Sequence, residues 1–248
     1  MSRLGALERT GSRASNLTGA GFGLAFALAA IVIVAGFWPS FYSNPFQNSP
    51  IRTIHGLLAS GWLVIVVGQP WLIATGRLAL HRAVGRFSML WVALLVLSMM
   101  VGLHEMMSES LTQGDPLPVR VMVGFVNFTG IPLFLGLYVW GVRCALRHDI
   151  AHHMRLMACA VLSTVPPGLV RLLAHLMHGF GPVPLLGSFG LILLVLAGMM
   201  VRDGVVEKRV YGGCVLTVAA LVATVAGVPV IGHFPPYLAL IRSLGYPG

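Results

Sequence analysis

Histidines are the residues of this sequence best suited to chemistry: nine of them stand against seven acidic side chains. A neutral imidazole is the commonest metal ligand and also titrates near neutrality, so its surroundings decide which of the two it does. Arg171, His175 and His178 are spaced by four and three, which puts them on one stripe of a helix. His104 and Glu105 stand between the pairs Met99–Met100 and Met106–Met107, and His55 lies near the start of an apolar run. Imidazoles among thioethers suit haem iron or copper. The axial ligands of a b-type haem are therefore expected among His55, His104, His175 and His178, and a copper site among His104, Glu105, His175 and His178. A cation inside a membrane helix is costly and marks a functional position, and a haem propionate would be a natural partner for Arg171. His81 and His153, each at the opening of a helix, form a second candidate pair. The competing account makes all of these interfacial histidines bonded to headgroups, water or backbone carbonyls, with Arg171 reaching outward. For His148, His152 and His153, which share a basic turn, anionic headgroups would suffice.

The elements that must position these groups are membrane helices. Of the 248 residues 57% are apolar and only 9% charged, whereas soluble domains carry roughly a quarter charged residues. A bilayer crossing needs about 20 apolar residues, and seven segments qualify: 19–38, 52–75, 84–107, 118–145, 152–178, 184–201 and 210–231. The whole chain, 1–248, reads as one integral membrane domain of the all-α class, a polytopic helix bundle. The first run follows Arg3, Arg9 and Arg13 but is too long for a signal-peptide core and lacks a small-residue cleavage site, so it is expected to stay as a helix. Pro132 and the pair Pro166–Pro167 predict kinks in the fourth and fifth spans.

Charge sets the expected orientation. With the amino terminus in the cytoplasm, the inner segments hold Arg3, Arg9, Arg13, Arg77, Arg82, Arg86, Arg143, Arg147, Arg155, Arg202, Lys208 and Arg209, twelve of the sixteen basic residues, and the outer loop at 108–117 carries Glu109 and Asp115. Positive charge collects on the cytoplasmic side, and seven spans then put the carboxyl terminus outside. The histidines sort into an inner layer (His81, His148, His152, His153) and an outer layer (His55, His104, His175, His178, His233). His153 and His175 are 22 residues apart, roughly 33 Å at about 1.5 Å per helical residue. That separation suits one site near one face better than two haems passing electrons across the bilayer.

The formal charge of +9 sits in short clusters between apolar runs, the pattern of topology rather than of a nucleic-acid face. No P-loop, H-E-x-x-H or G-x-S-x-G occurs. The single lysine, Lys208, lies at a span boundary, which argues against a retinal protein, and no carboxylate is expected at mid-membrane to couple transport to protons. Cys144, Cys159 and Cys214 are scattered without a C-x-x-C, so neither a disulfide nor a thiolate metal site is expected. Gly19 and Gly23 predict close helix packing, Gln69, Asn127 and Thr129 bonds between helices, and Trp38, Phe41, Tyr42 and Phe46 an interfacial aromatic belt.

His81-Arg-Ala-Val-Gly85 and His153-Met-Arg-Leu-Met157 echo one another, which makes the second and third spans and the fourth and fifth spans two similar hairpins. With His55-Gly56, Trp62, Gln69, Gly76-Arg77 and Arg86, and with Pro167 and Arg171 downstream, these motifs resemble a family of bacterial membrane proteins of unknown function. The later motif is also similar to the H-R/K-x-x-M helices of membrane proteins linked to haem–copper oxidase assembly. The resemblance spans roughly residues 50–175 and implies haem or metal binding in a bacterial inner membrane, with a respiratory complex as partner. Met154 stands where the family has a basic residue, and His104-Glu105 and His175/His178 lie outside the shared pattern. The topology also resembles adiponectin-receptor-like and ceramidase-like zinc hydrolases, but the seventh span here lacks their histidine pair. The leading expectation is a haem b protein with a redox or haem-handling role. The alternatives are a copper-handling or assembly protein without catalysis and, last, a zinc hydrolase.

Overall fold

The structure is a computed structural model that describes residues 21–112 and 117–243, with side chains from 21–109 and 121–241. Arg3, Arg9, Arg13, Gly19 and Asp115, used in the topology argument, lie outside the described residues, as do the side chains of Arg120 and Arg242.

Helix α1 covers 21–37 and runs into a π-helical turn at Trp38–Tyr42. There follow α2 (Pro50–Ala74), α3 (Leu78–Thr112), α4 (Leu117–Leu146), α5 (Ile150–Ser163), α6 (Pro166–Leu176), α7 (Pro182–Arg202), α8 (Gly212–Ile231) and the short α9 (Pro235–Ser243). No strand occurs among the described residues. Seven helical segments are long and apolar enough to cross a bilayer: Gly21–Tyr42, Pro50–Ala74, Leu78–Glu109, Val121–Leu146, Ile150–Leu176, Pro182–Glu207 and Gly212–Ile231. The protein is thus an all-helical membrane bundle with seven candidate spans, as the hydropathy predicts.

Local sequence explains the helix ends. Ser49 caps α2 by accepting from the Arg52 amide at 3.4 Å, and Pro50, which has no amide hydrogen to lose, takes the first helical position. Gly76 closes α2 with φ +73°, a turn most side chains resist. Asp149 caps α5 through the His152 amide.

The fifth span departs from the expected kink: it breaks into α5 and α6 at Thr164–Val165. Two consecutive prolines remove the two amides that would have bonded the carbonyls of Leu162 and Ser163. The hydroxyls of Ser163 and Thr164 bond back to Ala160 and Val161 on the amino-terminal side of the break, at 2.8 and 2.7 Å. Pro132 removes only one amide, and α4 continues through it.

The most extensive packing pairs α2 with α3 and α4 with α5, the two hairpins suggested by the internal echo; α6 packs on α7, and α8 on α4, α5 and α7. Trp62 is wedged edge-on against Phe134 and Tyr138, with ring centroids 5.5 and 5.7 Å away, at the heart of the core. Helices α1 and α6 touch through Gly36 and Gly168: a Cβ on Gly36 would stand 1.9 Å from the Gly168 carbonyl oxygen. Gly23 instead lies beside Pro70. At the end distant from the arginine-rich loops, α9 folds back and Tyr237 bonds the Val121 carbonyl at 3.2 Å. Trp38 and Phe46 are exposed as an aromatic belt requires, but Phe41 is buried against Gly56, because the π-helical turn rotates it inward. Leu24, Ile31, Val64 and Leu194 point outward, so the perimeter is apolar and matches hydrocarbon.

Candidate functional site

The outer candidates are dispersed. His55 on α2 meets Ser98 of α3, Nδ1 to Oγ 3.1 Å. Glu105 accepts from the Ser49 hydroxyl at 2.7 Å and lies 3.5 Å from Arg52 Nε, while Arg52 also pairs with Glu109. These carboxylates therefore tie the start of α2 to α3. His104 is exposed on α3; His175 and His178 are exposed at the end of α6, where His178 takes a left-handed conformation as the helix closes. Arg171 does not reach a carboxylate: its guanidinium lies 4.4 Å over the Phe37 ring and donates to the Pro167 carbonyl at 3.0 Å. Among the described residues, no three or more histidine, cysteine, aspartate or glutamate side chains converge as a metal site.

At the arginine-rich end the geometry differs. His81 in the first turn of α3 and His153 in the first turn of α5 come within electrostatic reach of one another. His153 Nδ1 is 2.9 Å from the Gly141 carbonyl of α4, so it carries the proton and leaves Nε2 with a free lone pair. His81 Nδ1 is buried with no hydrogen-bond partner. Gln69 of α2 donates to the His81 carbonyl at 3.4 Å, and its own carbonyl oxygen is likewise buried and unpartnered. Two turns beyond His81, Ser88 meets the Tyr138 hydroxyl at 2.7 Å, and the buried Trp62 indole N–H has no acceptor. Buried polar groups are nearly always satisfied, so a seam holding three unsatisfied atoms calls for an explanation such as a bound group.

A charged cage stands beside this seam. Arg155, two residues after His153, is 4% exposed and grips Asp203 with two hydrogen bonds, Nε to Oδ2 at 3.1 Å and Nη2 to Oδ1 at 2.8 Å. It also bonds Glu207, while Arg202 bonds Asp203 at 2.8 Å and Tyr211 donates to Glu207 at 2.6 Å. The Arg155 guanidinium lies 4.7 Å over the Tyr211 ring, whose edge meets His152 at 5.0 Å. His152 Nδ1 in turn lies 2.7 Å from the Asp149 carboxylate. Two guanidiniums balance two carboxylates, so the cage is neutral, and a π-helical turn at Asp203–Glu207 brings both acids to one side. One turn deeper, the thiols of Cys159 and Cys214 touch at 3.7 Å.

No family model, curated protein or solved structure matches the chain.

The cage went unremarked in the sequence because Arg155 and Asp203 are 48 positions apart and each sits near a span boundary, where charge is ordinary. The available signal was Asp203 itself, an acid directly after an apolar run and inside the basic segment. Likewise Cys159 and Cys214 are neighbours despite their separation. Outside the spans, the Glu207 carboxylate that accepts the Tyr211 hydroxyl raises the phenol above its ordinary value. Bonds from the His152 side chain and then its amide hold Asp149 below the usual carboxylate range. Chemically, the cage locks the start of α5 against α7 and α8 and thereby fixes the helix that presents His153.

Proposed function

We propose that this protein holds a b-type haem between His81 and His153, at the arginine-rich end of the bundle, and serves a redox or haem-handling role. One observation carries the reading: His81 has a buried imidazole nitrogen without a partner and lies within electrostatic reach of His153, whose Nδ1 is tied to a backbone carbonyl. That tie is the usual support of a ligating histidine, because it fixes the tautomer and aims the free nitrogen. Two axial histidines complete the coordination of a b-type haem, and no third donor is needed. The motif echo that pairs His81 with His153, and the resemblance it carries, points the same way.

The same reading puts the arginine-rich end in the cytoplasm of a bacterial inner membrane. Among the described residues Arg77, Arg82, Arg86, Arg143, Arg147, Lys208 and Arg209 have no ion pair to a carboxylate, and such uncompensated charge favours the cytoplasmic side. The test is a reduced-minus-oxidised spectrum of protein purified in mild detergent after expression with a haem precursor. A Soret band lost in both H81A and H153A but kept in H55A, H175A and H178A supports the proposal. A band that survives H81A and H153A overturns the assignment, and a monodisperse sample with copper and no Soret band replaces haem by copper.

A further inference from the structure

An open groove of about 390 Å³ lies along one stripe of α4 and is lined by Gly136, Val139, Trp140, Arg143, Cys144 and Arg147. The spacing of three and four keeps all six on one helical face, and the Arg147 amide still bonds the Arg143 carbonyl, so both guanidiniums extend from consecutive turns. The stripe is graded in polarity. At its deep end Gly136 leaves open space, since a Cβ there would meet nothing within 4 Å, and Val139 is half exposed. Next comes Trp140, 40% exposed, with its ring tip near Gly212 of α8. At the rim stand Arg143 and Arg147, both exposed, and neither forms an ion pair with a carboxylate among the described residues. Asp149, the nearest acid in sequence, is occupied by His152.

We infer that this groove is a binding site for an anionic phospholipid. The phosphodiester lies between Arg143 and Arg147, the glycerol region against Trp140, and one acyl chain descends past Val139 and Gly136. Guanidiniums recognise phosphate oxygens with paired, charge-assisted hydrogen bonds. Tryptophan settles at the headgroup level, and hydrocarbon fills what water would not. Basic residues just beyond a membrane helix attract anionic lipid through the surface potential; here the groove adds shape. The occupant must be both anionic and acylated, because a soluble anion would leave the apolar floor exposed and a zwitterionic lipid would bring its own cation to the two arginines. The inference is independent of the haem proposal, since no residue of the groove ligates.

Native mass spectrometry of the intact protein in mild detergent, titrated with phosphatidylglycerol or phosphatidylcholine, tests it. Wild-type protein is expected to retain phosphatidylglycerol in preference to phosphatidylcholine. The exposed double variant R143Q/R147Q should bind phosphatidylglycerol roughly tenfold more weakly. R82Q/R86Q, which removes the same charge from the neighbouring basic segment, should bind it as wild type does. Equal retention of the two lipids, an equal loss in R82Q/R86Q, or displacement of the lipid by millimolar inorganic phosphate would each overturn the site.

Discussion

At the scale of single residues, burial separates the side chains that can act from those that decorate the boundary. Arg155 and Asp203 are both nearly inaccessible, so removing one leaves the other buried with only Glu207 or Arg202 left to pair with it. Asp203→Asn or Arg155→Met should therefore destabilise the protein by up to about 3–5 kcal/mol, against a smaller loss in the double variant. Chemical unfolding in mild detergent measures the difference. Asp149 acts at the surface. Its folded carboxyl is held below the ordinary value, so its contribution is complete above a pH of about 4 and fades as pH falls through the lowered folded value. Asp149→Asn preserves the cap and loses the acid-dependent part. Thermal unfolding followed from neutral to acidic pH should show the wild type losing more than the variant over that range. Parallel curves would mean the His152–Asp149 contact contributes nothing.

At the scale of elements, helices meet where their sequences leave room. The approach of Gly36 to Gly168 brings α1 against α6 and sets Phe37 under Arg171. Gly168→Val should force the pair apart and cost roughly 1–3 kcal/mol, as overpacking does. Gly190→Ala on α7, where an added carbon meets nothing within 4 Å, should be tolerated in the same unfolding experiment. The contact of Cys159 with Cys214 gives a chemical readout of α5 on α8. Oxidation by iodine, which takes two electrons and releases two protons as iodide forms, should couple these two thiols and leave Cys144 open to alkylation. Peptide mass analysis that found Cys144 in the disulfide instead would contradict the packing. Sequence disclosed the prolines of the fifth span but not the outcome, because a kink and a break differ in how the backbone turns after the lost amides, here with the Val165 amide bonding the freed Leu162 carbonyl. It disclosed the aromatic cluster after α1 but not the burial of Phe41, which depends on a π-helical turn that no spacing rule announces.

At the scale of the whole molecule, the seven spans were legible because the cost of burying polar backbone imposes about 20 apolar residues on each crossing. Contacts between distant segments were not. The outer histidines share a depth in the sequence, yet His55 faces Ser98 while His175 and His178 stand exposed, since depth carries no information about which way a helix face turns. His81 and His153 were visible as motif counterparts, and the packing of α3 on α4, which joins the two hairpins, leaves them within electrostatic reach of one another. Among the described residues, most arginines without an ion pair gather at the same end of the bundle. The central claim is that these two histidines hold one haem. The most direct measurement is the reduced-minus-oxidised absorption spectrum of wild type beside H81A and H153A, each purified with haem supplied during expression. A Soret band of about one haem per chain in the wild type, absent from both variants, is the expected result. A wild type without the band, or a band untouched by either substitution, would contradict the claim.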